Sequence, residues 1–321
     1  MSSTFSLAPR LLAWALLVVA VPWPAHAAST CQGSGHARGT ATTLVLSGGG
    51  AKGAYEAGVA AALVEQGVPI RLVAGSSAGA LNAAMIADGR VDRLEALWRG
   101  LTRERVYSLR PSVFFAGLLP GWLTLLAFDR AGSFFDPAPL RELIDSSLDV
   151  GRIRVSPVRL LVVTTDLARR APRLFDNATI TPEALMAAAA VPGAFPAVEV
   201  DGTLLVDGGL TGRAPVLEAL AADSGVERAL VVMSYASDER GSPPTTMRRA
   251  LEEAFEMGMI HQIRRDVELA RLKYPAVELH LLTPSAPLDL RPLDFDPAAI
   301  ARALERGRAD AAACVSDWER R

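Results

Sequence analysis

The chain has 321 residues, of which 50% are hydrophobic and 21% are charged, so it can bury a large core and is not a disordered or fibrous protein. Length allows one large domain or two ordinary ones, and the composition favours one. The formal net charge is -2, and no cluster of Lys and Arg with interleaved aromatic residues occurs along the sequence. These properties exclude a typical nucleic-acid-binding protein.

Residues 1–27 have the pattern of a secretory signal peptide. One basic residue, Arg10, precedes an apolar run over residues 11–21, and the small-residue site Ala25-His26-Ala27 follows a Pro-Trp-Pro break. A membrane anchor is the alternative, but the run is well short of the roughly 20 residues that a spanning helix needs. We therefore expect an exported protein, periplasmic or secreted, that is cleaved near Ala27.

Residues 28–41 form a leader ahead of the predicted domain, which covers residues 42–321 and closes with a helical extension. The two cysteines of the sequence, Cys31 and Cys314, are an even number that suits an oxidising compartment. Two interpretations stay open: a disulfide between them, or two unrelated thiols. A lipid anchor on Cys31 is a weaker alternative, because Thr30 stands where a small residue is usual.

Strands and helices alternate at the start of the predicted domain. A β-branched and apolar strand (42–47) is followed by a helix (54–66), a second strand (70–74) and a second helix (80–87). Further strands are predicted at 160–164, 203–206, 229–234 and 277–282, and helices at 247–273 and 297–318. Such alternation favours a mostly parallel sheet with helices on both faces.

Ser112 to Phe128 departs from this pattern, since it has no charged residue, four aromatic residues and Pro120-Gly121 in its middle. The Pro-Gly interruption argues against a membrane span and leaves a buried helical hairpin or a lipid-facing cap. Burial is the favoured prediction, because apolar stretches of globular proteins usually belong to the core.

The segment Gly75-Ser76-Ser77-Ala78-Gly79 joins the second strand to the second helix through a tight turn. Gly75 and Gly79 let the backbone bend and leave Ser77 exposed as a candidate nucleophile. The N-terminus of the helix directs N–H groups to the same place, so the N–H of Ala78 is a candidate donor to a developing oxyanion. An ordinary structural turn is the alternative at this point.

Gly48-Gly49-Gly50-Ala51-Lys52-Gly53 lies between the first strand and the first helix. It matches the dinucleotide-binding pattern G-x-G-x-x-G, and it can also line an oxyanion hole. A dinucleotide site needs an acidic residue at the end of the second strand, where this sequence has the serine turn instead. The oxyanion function is therefore favoured, with candidates Gly48, Gly49, Gly50, Lys52 and Gly53. For Lys52 we favour bracing of the loop over attraction of a lipid phosphate.

A serine nucleophile needs a base. Histidine is the usual choice, but His26, His36, His261 and His280 do not lie on obvious loops. Asp207, in the turn Asp207-Gly208-Gly209 after the predicted strand 203–206, is the better candidate. Its structural alternative is an ordinary Asp-Gly turn between strands.

In this order, the three Gly-rich segments resemble the patatin-like phospholipase family. The similarity extends to residues 135–143, 164–167 and 189–195, and it covers most of residues 42–234. The resemblance implies a three-layer α/β/α fold with a central mostly parallel sheet. It also implies a dyad of Ser77 and Asp207, no metal or organic cofactor, and phospholipid or another acyl-ester lipid as substrate, with peripheral membrane contact as a further expectation.

One departure from the family is Gly212-Arg213, which stands where asparagines often follow the Asp-Gly-Gly turn. It concerns the bracing of the loop behind Asp207 and does not touch the dyad.

Two other classes of protein stay open. An α/β-hydrolase with a Ser-Asp-His triad fits the chain order Ser77, Asp207, His280, although in that fold the serine turn follows a strand deeper in the sheet. A protein without turnover could instead bind a nucleotide or a lipid phosphate through residues 48–53 and lipid through residues 112–128.

Overall fold

The computed structural model describes residues 31–32, 39–117, 119, 123–124, 127, 130, 132–237 and 243–320. The predicted signal peptide (1–27) and most of the leader (28–41) lie outside the described residues, and so do several residues of the segment 112–128.

Strands and helices alternate along most of the described chain. The strands are β1 (Cys31–Gln32), β2 (Thr42–Leu46), β3 (Ile70–Gly75), β4 (Ser108–Leu109), β5 (Phe135–Asp136), β6 (Arg159–Asp166), β7 (Ala171–Asp176), β8 (Val198–Val200), β9 (Thr203–Asp207), β10 (Arg228–Val232) and β11 (Glu278–Leu282). The α-helices are α1 (Gly53–Glu65), α2 (Ala78–Ala87), α3 (Val91–Arg99), α4 (Arg103–Val106), α5 (Pro111–Ala116), α6 (Ala138–Ser147), α7 (Val150–Arg154), α8 (Pro182–Ala188), α9 (Val216–Ala222), α10 (Met247–Lys273) and α11 (Pro297–Arg320). Short 3-10 turns cover Gly50–Lys52 and Gly208–Leu210.

A mostly parallel sheet forms the centre of the molecule, which confirms the predicted fold class. Its strands are hydrogen-bonded to one another along the path β1-β11-β10-β2-β3-β6-β9-β8, and β7 also pairs with β6. The five strands from β11 to β6 are mutually parallel, whereas β1, β7, β8 and β9 each pair antiparallel with a neighbour. The parallel strands therefore end at one common edge of the sheet.

Helices cover both faces of this sheet. In β2, Leu44 and Leu46 belong to the core shared with α1, α2 and α11, while Val45 belongs to the core shared with α9 and α10. This alternation follows from the period of two in a strand, whose successive side chains point to opposite faces. The result is a three-layer α/β/α arrangement, with the central parallel strands β2 and β10 buried on both sides.

The predicted helical extension, α11, is packed into the first of these cores. A methyl group added to Gly58 of α1 would lie 2.1 Å from the carbonyl oxygen of Leu304 in α11, so the two helices are in backbone contact. Cys31 of β1 is joined to Cys314 of α11 by a disulfide, with 5.2 Å between their Cα atoms. The start of the described chain is thus linked covalently to its last helix.

The favoured prediction of burial for residues 112–128 is wrong for two phenylalanines. Within the short helix α5, Val113 and Ala116 are buried, but Phe114 is 56% and Phe115 is 63% exposed. A single helix on the surface buries only the face that it turns to the core. Among the described residues, no helix is long and apolar enough to cross a bilayer.

Candidate active site

Ser77 occupies a strained turn between β3 and α2. Its backbone has φ 54° and ψ -136°, in a positive-φ region that residues other than glycine rarely adopt. The N–H of Ser77 donates to the carbonyl of Ala188 at 3.0 Å. The residue is only 5% exposed, so the expectation that the turn leaves it exposed is wrong. The surrounding structure therefore fixes this serine at the N-terminus of a helix, in the geometry of a nucleophile turn.

The Gly-rich loop (residues 48–53) lies directly against the serine turn (residues 75–79). β2 and β3 are parallel neighbours with Leu46 opposite Gly75, so the two turns leave the sheet side by side. Gly48 has φ 71°, and a methyl group on it would lie 2.5 Å from the carbonyl oxygen of Ser76 and 3.0 Å from Cβ of Ser77. A residue with a side chain does not fit here without moving the nucleophile.

Other glycines of the motifs are also places of close backbone contact. An added methyl group would come within 2.6 Å of a carbonyl oxygen at each of Gly75, Gly79 and Gly208. At Gly53 the added group would lie 3.0 Å from Cβ of Ala78, so the loop also touches the first residue of α2. These glycines hold the loop, the serine turn and the aspartate turn together.

Hydrogen bonds narrow the set of oxyanion donors. The N–H of Gly48 donates to Glu56 Oε1 at 2.7 Å, and the N–H groups of Lys52 and Gly53 donate to carbonyls within the loop. These three predicted donors are therefore occupied. Among the described residues, no acceptor is bonded to the backbone N–H of Gly49, Gly50 or Ala78. The donors available to an oxyanion are these three.

Lys52 braces the loop, as favoured from the sequence. Its ammonium lies 3.4 Å from Glu256 Oε2 of α10 and 4.0 Å from the centre of the Tyr235 ring. The side chain is buried, and its charge is offset by the glutamate and by the cation–π contact. Lys52 therefore ties the Gly-rich loop to α10.

Glu56 is a buried brace of the loop that sequence reasoning missed. Its Oε1 accepts from the N–H of Gly48 at 2.7 Å and from the hydroxyl of Ser47 at 3.1 Å. Its Oε2 accepts from Nδ2 of Asn82 in α2 at 3.3 Å. Burial raises the pKa of Glu56 to about 7, against the lowering effect of these hydrogen bonds and of Arg213. A glutamate at an ordinary helical position gives no sequence signal of this function.

The indole of Trp98 fixes how Asn82 meets Glu56. Nε1 of Trp98 donates to Oδ1 of Asn82 at 2.8 Å, and because an indole N–H can only donate, the amide NH₂ must face Glu56. A proton on Glu56 Oε2 would point at the N–H of Asn82 Nδ2 and repel it. The network therefore suits the ionised carboxylate, and it connects the Gly-rich loop to the helix that begins beside Ser77.

Asp207 reaches Ser77 by a route that the sequence did not predict. The strand that ends at Asp207, β9, is not one of the parallel strands and runs antiparallel to β6. β7 occupies one edge of β6, so β3 and β9 share the other edge and meet end to end. Gly75 lies opposite Val162 and Asp207 opposite Thr164, so one residue of β6 separates the two strand ends. Asp207 is thereby placed beside the serine turn.

The Asp207 carboxylate is buried and only partly satisfied. Oδ1 accepts from the N–H of Gly209 at 2.7 Å, while Oδ2 has no hydrogen-bond partner among the described residues. Burial raises the pKa of Asp207, and Arg213, the Gly209 N–H and the nearby Ser77 hydroxyl oppose that rise in decreasing order. The hydroxyl is close enough to act on the carboxylate but lies outside the geometry of a formed hydrogen bond. Oδ2 is therefore available to accept the serine proton.

The described histidines do not complete a triad. Nε2 of His280 is bonded to Glu278 at 2.5 Å, and its ring packs 5.2 Å from that of Trp318. His261 is exposed on α10, and no hydrogen bond joins either imidazole to Asp207 or Ser77. His26 and His36 lie outside the described residues. The arrangement thus favours the dyad over the triad.

The geometry does not favour a cofactor in the Gly-rich loop. Two N–H groups that would hold a pyrophosphate are bonded within the protein, that of Gly48 to Glu56 and that of Ala51 to the carbonyl of Pro292. Over the residues that the structure describes, no group of three or more His, Cys, Asp or Glu side chains could hold a metal ion.

Comparison with known proteins places this geometry in a family. The model of the patatin-like phospholipase family matches residues 44–220, more than half of the chain. The chain belongs to the patatin-like phospholipase family. The matched region contains the Gly-rich loop, the serine turn and the aspartate turn.

Individual relatives are similar over the same region. An uncharacterized NTE family protein of Mycobacterium tuberculosis is 32% identical over 194 residues, which are 60% of this chain and 48% of the relative. The mouse patatin-like phospholipase domain-containing protein 7 is 28% identical over 183 residues, 55% of this chain and 12% of the relative. The matched region thus spans about half the length of the mycobacterial relative.

Among solved structures, VipD from Legionella pneumophila has a TM-score of 0.47 and 16% identity, over 88% of this chain and 67% of its own. The type III effector ExoU has a TM-score of 0.42 and 18% identity, over 89% of this chain and 54% of its own.

The contact between Gly48 and the serine turn yields a prediction with a matched control. Gly48→Ala should lower kcat at least about 100-fold, because the displaced loop no longer presents its donors to the oxyanion. Gly67 has the same φ of 71° but no atom within 4 Å of an added methyl group. Gly67→Ala should therefore lose only about 1 kcal/mol of stability and keep its activity. Ester hydrolysis and thermal unfolding of both variants measure the difference, and equal activities would contradict the proposed packing.

Proposed function

We propose that the protein is a serine lipid acyl hydrolase of the phospholipase A or lysophospholipase type, with Ser77 as nucleophile and Asp207 as base. The observation that carries this proposal is the meeting of β3 and β9 on one edge of β6, which brings the serine turn and the aspartate turn together. The unoccupied N–H groups of Gly49, Gly50 and Ala78 support an oxyanion hole at the same place.

The reaction proceeds in two steps. Oδ2 of Asp207 accepts the proton of the Ser77 hydroxyl as Oγ attacks the ester carbonyl, and the N–H groups hold the negative oxygen. Collapse of the tetrahedral intermediate breaks the ester bond, transfers the proton to the leaving alcohol and leaves an acyl-serine. Asp207 then takes a proton from water as the water oxygen attacks the acyl group, and collapse of this second intermediate breaks the acyl–serine bond, returns the proton from Asp207 to Oγ of Ser77 and releases the fatty acid. The residues of the site do this without a metal or an organic cofactor.

An acyl-ester lipid is the substrate class that this site supports best. The family model and the mouse relative are both described as patatin-like phospholipases, which supports a lipid ester over a small soluble one. Export through residues 1–27 is part of the proposal, and the disulfide between Cys31 and Cys314 supports it because disulfides persist in oxidising compartments.

Peripheral contact with a membrane is supported by the helix α10. At about 1.5 Å per residue its 27 residues extend about 40 Å, but its buried apolar residues begin only at Met259, the thirteenth residue of the helix, and continue with Ile263, Val267 and Ala270. As the crossover between parallel β10 and β11, α10 begins at the edge of the sheet where Ser77 lies. Its first half exposes Met247, Leu251 and Phe255 at intervals of four residues, which makes one apolar stripe beside the site.

Replacement of the two dyad residues tests the proposed chemistry. Ser77→Ala should reduce ester hydrolysis to background, and Asp207→Asn should reduce kcat by about 10²- to 10⁴-fold, since the proton acceptor is lost. His280→Gln is the control, because the triad alternative requires that imidazole. Circular dichroism checks that each variant is folded. Full activity of folded Ser77→Ala, or loss of turnover in folded His280→Gln, would reject the dyad.

The membrane contact is tested by charges on α10. Leu251 and Leu272 are 67% and 80% exposed at opposite ends of the helix. Leu251→Asp should weaken binding to phosphatidylcholine vesicles at least about tenfold, because a buried leucine contributes roughly 1.5–3 kcal/mol. Leu272→Asp should bind as the wild type does, and both should hydrolyse a soluble ester normally. Equal vesicle binding by the two variants would refute the contact, and a change of sedimentation without vesicles would assign the stripe to a second copy.

A further inference from the structure

The expectation that Gly212-Arg213 does not touch the dyad is wrong, because Arg213 lies in the middle of the proposed active site. A methyl group added to Gly209 would meet Nη1 of Arg213 at 2.5 Å, and one added to Gly49 would lie 3.6 Å from Nη2. The guanidinium is therefore between the aspartate turn and the Gly-rich loop. Only 2% of the residue is exposed, so its charge is shielded from water.

The guanidinium of Arg213 has no direct partner among the residues that the structure describes. It forms no ion pair with a carboxylate and donates no hydrogen bond, and its Nε is buried without an acceptor. Burying a charge without a contacting counter-ion costs free energy. Packing alone therefore does not explain why an arginine is buried at this position. The backbone of Arg213 is held separately, because the hydroxyl of Ser76 donates to its carbonyl at 2.6 Å.

The positive charge of Arg213 acts on two buried carboxylates. Asp207 ends β9 beside Gly209, and Glu56 of α1 holds the N–H of Gly48 next to Gly49. Burial raises the pKa of both carboxyl groups. The Arg213 guanidinium is the strongest effect that opposes this rise at Asp207, whereas at Glu56 it acts after the three hydrogen bonds from Gly48, Ser47 and Asn82. One cation thus acts on the base and on the brace of the oxyanion loop.

Other charged groups near the site are paired elsewhere. The ammonium of Lys52 lies against Glu256, and the carboxylate of Asp166, at the end of β6, accepts from the guanidinium of Arg169. Arg213 is therefore the cation whose field reaches both Asp207 and Glu56.

We propose that Arg213 is a positioning residue of the reaction, the shared counter-ion that keeps Asp207 and Glu56 negatively charged together. Through Asp207 it keeps the base able to accept the Ser77 proton. Through Glu56 it preserves the hydrogen bonds that hold Gly48 against the serine turn. This inference rests on the proposed hydrolase function and adds to it the means by which two buried acids stay ionised.

The pH dependence of the reaction follows from the sign of these effects. Both carboxyl groups must be ionised, so kcat/KM falls as the pH drops through the higher of their two pKa values. Removal of the positive charge takes away an effect that lowers both pKa values. The acid limb of the profile must then move to higher pH, while activity recovers at a pH above the new limb.

The experiment measures kcat/KM against pH for a soluble, uncharged short-chain acyl ester with the full exported chain. Arg213→Met should move the acid limb upward by about 1 pH unit or more, as expected for loss of a nearby opposite charge. Arg213→Lys keeps the charge, although not the planar fork, and should leave the limb close to its wild-type position. A residue that only filled space would lower activity at every pH and would not move the limb.

Two results would overturn the inference: a limb that stays in place in folded Arg213→Met, or one that moves upward in folded Arg213→Lys. If Arg213→Met does not fold, Arg213→Gln, which also removes the charge, takes its place, and the same two outcomes apply. A wild-type protein without Ser77-dependent hydrolysis would instead refute the proposed function, so the two failures are distinguishable.

Discussion

The parallel pairing of β2 with β3 is the constraint on which the rest of the site depends. It places Leu46 opposite Gly75, so the Gly-rich loop and the serine turn leave the sheet as neighbours. Only glycine permits the contact that follows, in which Gly48 lies against Ser76 and Ser77. The strained backbone of Ser77 is tolerated because this contact and the bond from its N–H to Ala188 hold the turn from two sides.

The electrostatics of the site are governed by the buried carboxylates of Glu56 and Asp207. The site buries two carboxylates within a fold whose sheet is covered on both faces, and desolvation opposes the charge of each. The carboxylate of Glu56 accepts hydrogen bonds from three donors. In Asp207, Oδ1 accepts one hydrogen bond, and Oδ2 has no partner among the described residues. The difference matches their functions, since a brace must be saturated and a base must keep an oxygen for the proton that it accepts.

The sequence predicted the elements that local pattern controls. Glycine turns after apolar strands located Ser77, the Gly-rich loop and Asp207, and helical periodicity located Met247–Lys273 to the residue. Pairing partners are set by tertiary contacts, so the antiparallel course of β9 and its meeting with β3 were not predictable from pattern. Hydrogen bonds are equally invisible in sequence, which is why Gly48 was expected to be an oxyanion donor and Glu56 was overlooked. The exposure of Phe114 and Phe115 likewise depends on which face of α5 meets the core.

Covalent labelling shows whether Ser77 is an activated nucleophile. An alkyl fluorophosphonate reacts with a serine whose proton is taken by a base and whose phosphoryl oxygen is held by an oxyanion hole. After reaction with the full chain, peptide mass spectrometry should find one phosphonyl adduct, on Ser77, and prior denaturation should prevent it. An unmodified Ser77 in the folded protein, or an adduct on Ser76 or another serine in its place, would contradict the account.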